Sequence, residues 1–189
     1  MVLSGLERIG APPVGEVIYT HHHWDHAFGA CVYGAPATAH TSCSAQLEKE
    51  ARKPWSEAFL GEEVARDPTV RGMANALSQG VEDWETFYIV VPEVSFEATC
   101  ELRGEGYRLE LRHVGGKHAG DSVVVAVPDE KIMFLGDSFY PPPLRLGLAY
   151  RSPDMEMLAS FLSEDCELYL DGHGAPFTKT ELAAGLGES

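Results

Sequence analysis

Residues 20–26 read Thr-His-His-His-Trp-Asp-His, and no other stretch restricts the chain so tightly. Within it, His21, His23, Asp25 and His26 form the pattern HxHxDH. On an extended backbone, side chains two apart share a face. His21 and His23 therefore point together and His22 points away. The chain must then turn to present Asp25 and His26 as a second pair. Three residues of the same chemistry follow far along the chain: His118 in GGKHAGDS, Asp137 in FLGDS and His173 in LDGHG. Together these imidazoles and carboxylates are about what two borderline-soft divalent ions require when a water bridges them. A bridged pair of zinc-type ions makes hydroxide available at neutral pH.

The apolar patterning indicates how distant segments meet. Residues 15–20 read as a short buried strand running into the histidine loop. Residues 30–39 read as a short strand and loop, broken at Tyr33-Gly34-Ala35-Pro36. Thr41 is the expected N-cap of a helix reaching about Arg52. Residues 54–80 read as irregular to helical, with Pro68 and Gly80 bracketing one helix. From residue 95 the pattern changes. Phe96, Ala98, Cys100 and Leu102 alternate with Glu97, Thr99, Glu101 and Arg103. After a Gly104-Glu105-Gly106 turn, Tyr107, Leu109, Leu111 and His113 alternate with Arg108, Glu110 and Arg112. That is an antiparallel hairpin with one wet face. Ser122 to Val127 and Lys131 to Leu135 are more continuously apolar and read as inner strands. Pro153 is expected to open a helix to about Leu162. Cys166 to Leu170 reads as a last strand, with His173 just past its end, and 179–186 as a final helix. The metal-bearing segments thus sit at strand ends or in loops after strands. Loops converging at one edge of a layered α/β sandwich build a rigid site. With no repeat or linker visible, one domain over residues 1–189 is expected.

Charge narrows the partners. The 189-residue chain carries a net charge of −15 with only 14 Lys and Arg, which argues against a nucleic-acid partner. Two divalent cations, two aspartates and one hydroxide leave about +1 at the site, so a small anionic or carbonyl substrate is attracted at short range. No apolar run reaches the length of a membrane span. The first twenty residues lack the basic and apolar regions of a signal peptide. Cys31, Cys43, Cys100 and Cys166 form no CxxC pair and read as buried free thiols of a reducing cytosol. The expectation is a cytoplasmic protein with a small-molecule substrate and no membrane partner.

In this order, THHHWDH, GGKHAGDS, FLGDS and DGHG resemble the metallo-β-lactamase superfamily over roughly residues 15–175. The resemblance implies a four-layer αββα sandwich with the site at the edge between two sheets. It assigns His21, His23 and His118 to a first metal, Asp25, His26 and His173 to a second, and Asp137 to a bridge between them. The chemistry agrees. Three imidazoles leave an open position, as catalytic zinc requires. A carboxylate can span ions about 3.5–4 Å apart. Superfamily members normally place two or three strands and a helix before HxHxDH. Here 20 residues precede it, so the first sheet is expected to lack its opening hairpin and to present an unpaired edge; a misplaced start, a truncation, or a partner such as a second copy of the chain covering the gap are the alternatives. The 16 residues after His173 are too few for the helical glutathione-binding domain of a glyoxalase II. His23 stands where flavo-diiron proteins have a glutamate.

The implied activity is dinuclear, zinc-dependent hydrolysis of a small ester, lactone, thioester or amide by a metal-bridging hydroxide. The cofactor is two Zn2+, with Fe or Mn as alternatives. Asp25 is a candidate to pass a proton to the leaving group. Tyr140 stands where lactonase-like members place a tyrosine able to donate to the substrate carbonyl oxygen. Packing against Pro141 to Pro143 is its competing reading. Two other readings stay open: an enzyme resembling persulfide dioxygenases, with one iron on two histidines and an aspartate, and a truncated, inactive metal-binding relic. His22, His40 and His113 read as structural, and Trp24 as packing.

Overall fold

The computed structural model describes residues 2–104, 106–143 and 152–187. Glu105 of the expected turn and residues 144–151 of the loop after Tyr140 lie outside them.

The first half of the chain builds a small parallel sheet. Helix α1 (Val2–Arg8) precedes strand β1 (Val17–Ile18), which runs into the histidine loop and the single-turn helix α2 (Trp24–Ala27). Phe28–Tyr33 is a 3-10 helix rather than the strand expected from residue 30. Gly34 ends it at φ 60°, a conformation glycine adopts without steric cost. Strand β2 (Ala37–His40) lies parallel to β1. Helix α3 (Thr41–Ala51) follows, and its cap is His40 rather than Thr41. The His40 imidazole accepts from the Ser42 N–H, satisfying a donor that a hydroxyl cap would otherwise take. Helices α4 (Glu57–Arg66) and α5 (Arg71–Gly80) come next, the first capped by Ser56. Strand β3 (Val94–Phe96) pairs with β2, again parallel, giving the order β1-β2-β3.

Phe96 therefore belongs to this sheet and not to the hairpin, whose first strand begins only at Thr99. The chain changes sheets at Glu97–Ala98 without breaking its alternation. The second sheet holds β4 (Thr99–Gly104), β5 (Tyr107–His113), β6 (Val123–Val127) and β7 (Ile132–Gly136). Helix α6 (Met155–Ser160) then crosses back to β8 (Leu168–Asp171), which lies parallel to β7. The cap of α6 is Asp154, whose carboxylate accepts from the Met157 N–H, so the helix starts two residues after Pro153. The strand expected from Cys166 begins at Leu168. A short strand β9 (Phe177–Thr178), unanticipated in the sequence, and helix α7 (Lys179–Gly187) complete the six-stranded order β4 to β9.

Three apolar clusters define four layers. Tyr19, Ala39, Cys43, Leu47, Leu60 and Leu77 join α3, α4 and α5 to one face of the small sheet, with Trp24 packed against them. Phe96, Leu111, Val123 and Val125 fill the space between the sheets. Met133, Leu135, Leu158, Phe161, Tyr169 and Leu182 join α6 and α7 to the outer face of the large sheet. This is a helix–sheet–sheet–helix sandwich. Burial of this kind is worth roughly 25 cal/mol per Å² of apolar surface, so the fully buried Leu47 and Leu135 rank among the stronger single contributors. Strand β1 is an edge strand: its hydrogen bonds run to β2 through Val17 and Tyr19, and its other edge has no strand partner among the described residues. Cys43 and Cys166 are buried, whereas Cys31 and Cys100 are only half-buried, and all four are free thiols. No described helix is long and apolar enough to cross a membrane.

Topology brings the motif-bearing loops to one edge. Parallel β7 and β8 end side by side, where Gly136 O accepts from Gly172 N at 3.1 Å. Antiparallel β6 starts at that same end. Thr20 O accepts from Val123 N at 2.8 Å and ties the histidine loop to the start of β6. A register shift between Phe134 and Gly136, with Gly136 at φ 52°, re-aims the chain just before Asp137.

Candidate metal centre

All seven residues singled out by the motifs converge. Their ligand atoms form three overlapping groups: His21, His23 and His118; His21, His26 and Asp137; and Asp25, His26 and His173. Within each group the atoms lie within 4.8 Å of one another. His23 Nδ1 stands 3.0 Å from His21 Nε2 and 2.9 Å from His118 Nε2. Asp137 Oδ2 is central, 3.2 Å from His118 Nε2, 3.2 Å from His173 Nε2 and 3.4 Å from His26 Nε2. Asp25 Oδ2 lies 3.6 Å from His173 Nε2 and 3.7 Å from His26 Nε2.

The donor set fits divalent ions. Ligand atoms around one tetrahedral zinc-type ion stand about 3.4 Å apart, given bonds of about 2.0–2.1 Å. Five imidazoles cannot all satisfy one another by hydrogen bonding, since each neutral ring has a single N–H. Asp137 Oδ1 is buried and has no hydrogen-bond partner among the described residues, an arrangement a cation would resolve. Gly172 explains the glycine of the last motif: a Cβ there would collide with Asp137 Oδ1 and stand 2.7 Å from His26 Cε1.

Neighbouring groups fix the rings. The N–H at His118 Nδ1 donates to Pro141 O at 2.9 Å, which leaves Nε2 as the free lone pair. His21 is 1% exposed, and its pKa falls to about 2. Burial is the main cause, followed by the imidazoles of His26 and His23. For His26, burial pulls downward, but the hydrogen bond and charge of Asp137 outweigh it, and its pKa rises. Burial likewise works upward on Asp137, yet its bond to His26 and the surrounding imidazoles hold it below the usual carboxylate range.

Tyr140 packs in the large-sheet cluster, and its ring stacks on that of His173 at 5.9 Å. Its hydroxyl bonds to the Asp171 carboxylate, and burial, ahead of Asp171, pushes its pKa up to about 12. Asp171 Oδ1 also accepts from His173 N at 3.0 Å. His40 and His113 lie elsewhere, stacked at 3.7 Å with their rings 12° apart. His22 points out of the cluster and bonds through Nδ1 to Asp121 Oδ1 at 2.9 Å. Asp121 and Asp171 were not singled out from the sequence. The available signal was position, since both lie inside the motifs that carry His118 and His173.

The pattern of the Metallo-beta-lactamase superfamily matches residues 3–170, and the chain belongs to that superfamily. Its fold is the one shared by solved members. A metallo-beta-lactamase from Pontibacter korlensis is 17% identical with a TM-score of 0.56, over 98% of this chain and 74% of that one. An archaeal superfamily protein from Sulfolobus tokodaii is 19% identical with a TM-score of 0.59, over 95% of this chain and 69% of that one. A stereoselective inverting sec-alkylsulfatase from Pseudomonas sp. is 16% identical with a TM-score of 0.65, and the match spans 99% of this chain but 33% of that one. No curated protein matches the sequence.

Proposed function

We propose that the chain is a dinuclear metal-dependent hydrolase, zinc-loaded, acting on a small ester, lactone, thioester or amide. The observation that carries this reading is the shared position of Asp137, central to ligand atoms on both sides of the cluster. His21, His23 and His118 would hold one ion, and Asp25, His26 and His173 the other, with Asp137 between them. Bound there, such ions supply a hydroxide at neutral pH and polarise a carbonyl. The chain's residues do the rest. Buried His21, His23 and Asp137 keep bulk water from one side. Asp25 and His173, 33% and 48% exposed, face the side from which a substrate enters. Asp25 would hand a proton to a leaving group there. Tyr140 orients His173 by stacking and through Asp171, and donates to a substrate oxygen only if it leaves Asp171.

Four free thiols suit a reducing compartment, which supports a cytoplasmic location. The test is elemental analysis of the purified chain, then assays of stripped and reloaded protein on lactone, ester, thioester and amide substrates. A sulfate ester and a β-lactam belong on the panel because solved proteins of this fold include a sec-alkylsulfatase and a metallo-beta-lactamase. Zinc near two per chain, with turnover lost on stripping and regained on reloading, is expected. Turnover unchanged by complete stripping defeats the proposal. The group His21, His26 and Asp137 is also a two-histidine, one-carboxylate set suited to non-haem iron. One iron per chain with oxygen consumption would select that reading.

A further inference from the structure

We infer that Asp121 is a positioning residue that decides which of the three consecutive histidines enter the first metal group. The inference rests on the metal reading above. His21 and His23 reach that group from the loop after β1, while His118 lies 95 residues beyond His23. The two loops must be registered against each other, and Asp121 does this from three residues past His118. Its side chain is 3% exposed. One carboxylate oxygen accepts from the backbone N–H of His22 at 2.8 Å, and the other from the His22 ring at Nδ1, 2.9 Å away. The thiol of Cys43, wholly buried on α3, also bonds to it.

The first bond fixes the peptide between His21 and His22, midway between the two flanking rings, and with it their directions. The second holds the middle imidazole outside the cluster, where it cannot compete for an ion. Each bond uses its own arm of the side chain. Alanine removes both acceptors, whereas asparagine could still serve the pair, its oxygen accepting from the backbone N–H and its NH2 donating to His22 Nδ1 in the other tautomer.

The experiment measures zinc dissociation constants of the full chain by competition with a chromophoric chelator, in two backgrounds. His173→Ala leaves the first group intact, and His118→Ala leaves the second. Adding Asp121→Ala to His173→Ala is expected to weaken the remaining site by about 10–100-fold, the usual cost of losing a ligand's orienting partner. Adding it to His118→Ala is expected to change the remaining site less than about threefold. Equal weakening in both backgrounds, or none in either, overturns the inference. Should Asp121→Ala fail to fold, Asp121→Ser, whose hydroxyl is too short to reach both donors, is measured in the same two backgrounds. A loss of more than about threefold at the first group alone supports the inference, and no loss overturns it. A wild-type chain that binds no divalent ion instead overturns the metal reading itself.

Discussion

The two halves of the cluster are built on opposite plans. His21, His23 and His118 are three imidazoles, nearly closed to solvent, with Asp121 and Pro141 O holding the loops that carry them. Asp25, His26 and His173 include a carboxylate and two groups open to water. The buried half has its ligand directions set by the fold before any ion arrives. The open half trades that rigidity for access. A site made this way should bind one ion tightly and the other loosely, with the substrate approaching the loose side.

The largest effect should come from the residue both halves share. Asp137→Ala is expected to abolish stable occupancy on both sides and to lower turnover by more than about a hundredfold, read from metal content and initial rates. Retention of two tightly held ions would break the comparison. Next comes the difference between the halves. Chelator added in steps should remove one equivalent well before the other, by about tenfold or more in concentration. In Asp25→Ala only the early release should be lost. A single cooperative release of both ions would show that the halves act as one. Tyr140→Phe is smaller: it frees Asp171 from one bond and should weaken the open side by about threefold to tenfold, leaving the buried side unchanged.

The smallest effect lies outside the cluster. Burial, and then the stacked His113, lower the pKa of His40 from its ordinary 6.5. Between that value and the lowered one, the unfolded chain binds a proton that the folded chain does not. The contribution is therefore complete above about pH 6.5 and is lost as pH falls through the lowered value. His40→Asn keeps an acceptor at the start of α3 and should flatten the loss of stability between pH 7.5 and 5.5, measured by urea unfolding of metal-free protein. An unchanged slope would remove His40 from the acid response.

The candidate ligands were legible because they fall in motifs placed at the ends of apolar stretches or in the loops after them. Strand ends could be read from patterning, and that was enough to predict one edge. What escaped was pairing. The alternation from Phe96 to Arg103 is unbroken, yet Phe96 pairs with His40 in one sheet and Cys100 with Leu111 in the other. A period of two reports a strand, not its neighbour. The cap of α3 was missed for a related reason. Thr41 is the ordinary choice by residue type, and only the geometry shows the His40 ring reaching the Ser42 N–H. Asp121 and Asp171 escaped because a carboxylate that orients a ligand looks, in sequence, like any other acidic residue in a loop.

Gly172 shows what that edge tolerates. The missing methyl there is occupied in effect by the carboxylate of Asp137 and the ring of His26, so the chain spends a position on emptiness. Even alanine would have to push two candidate ligands aside. The tightest limit on how this centre can vary is thus set by a residue that binds nothing.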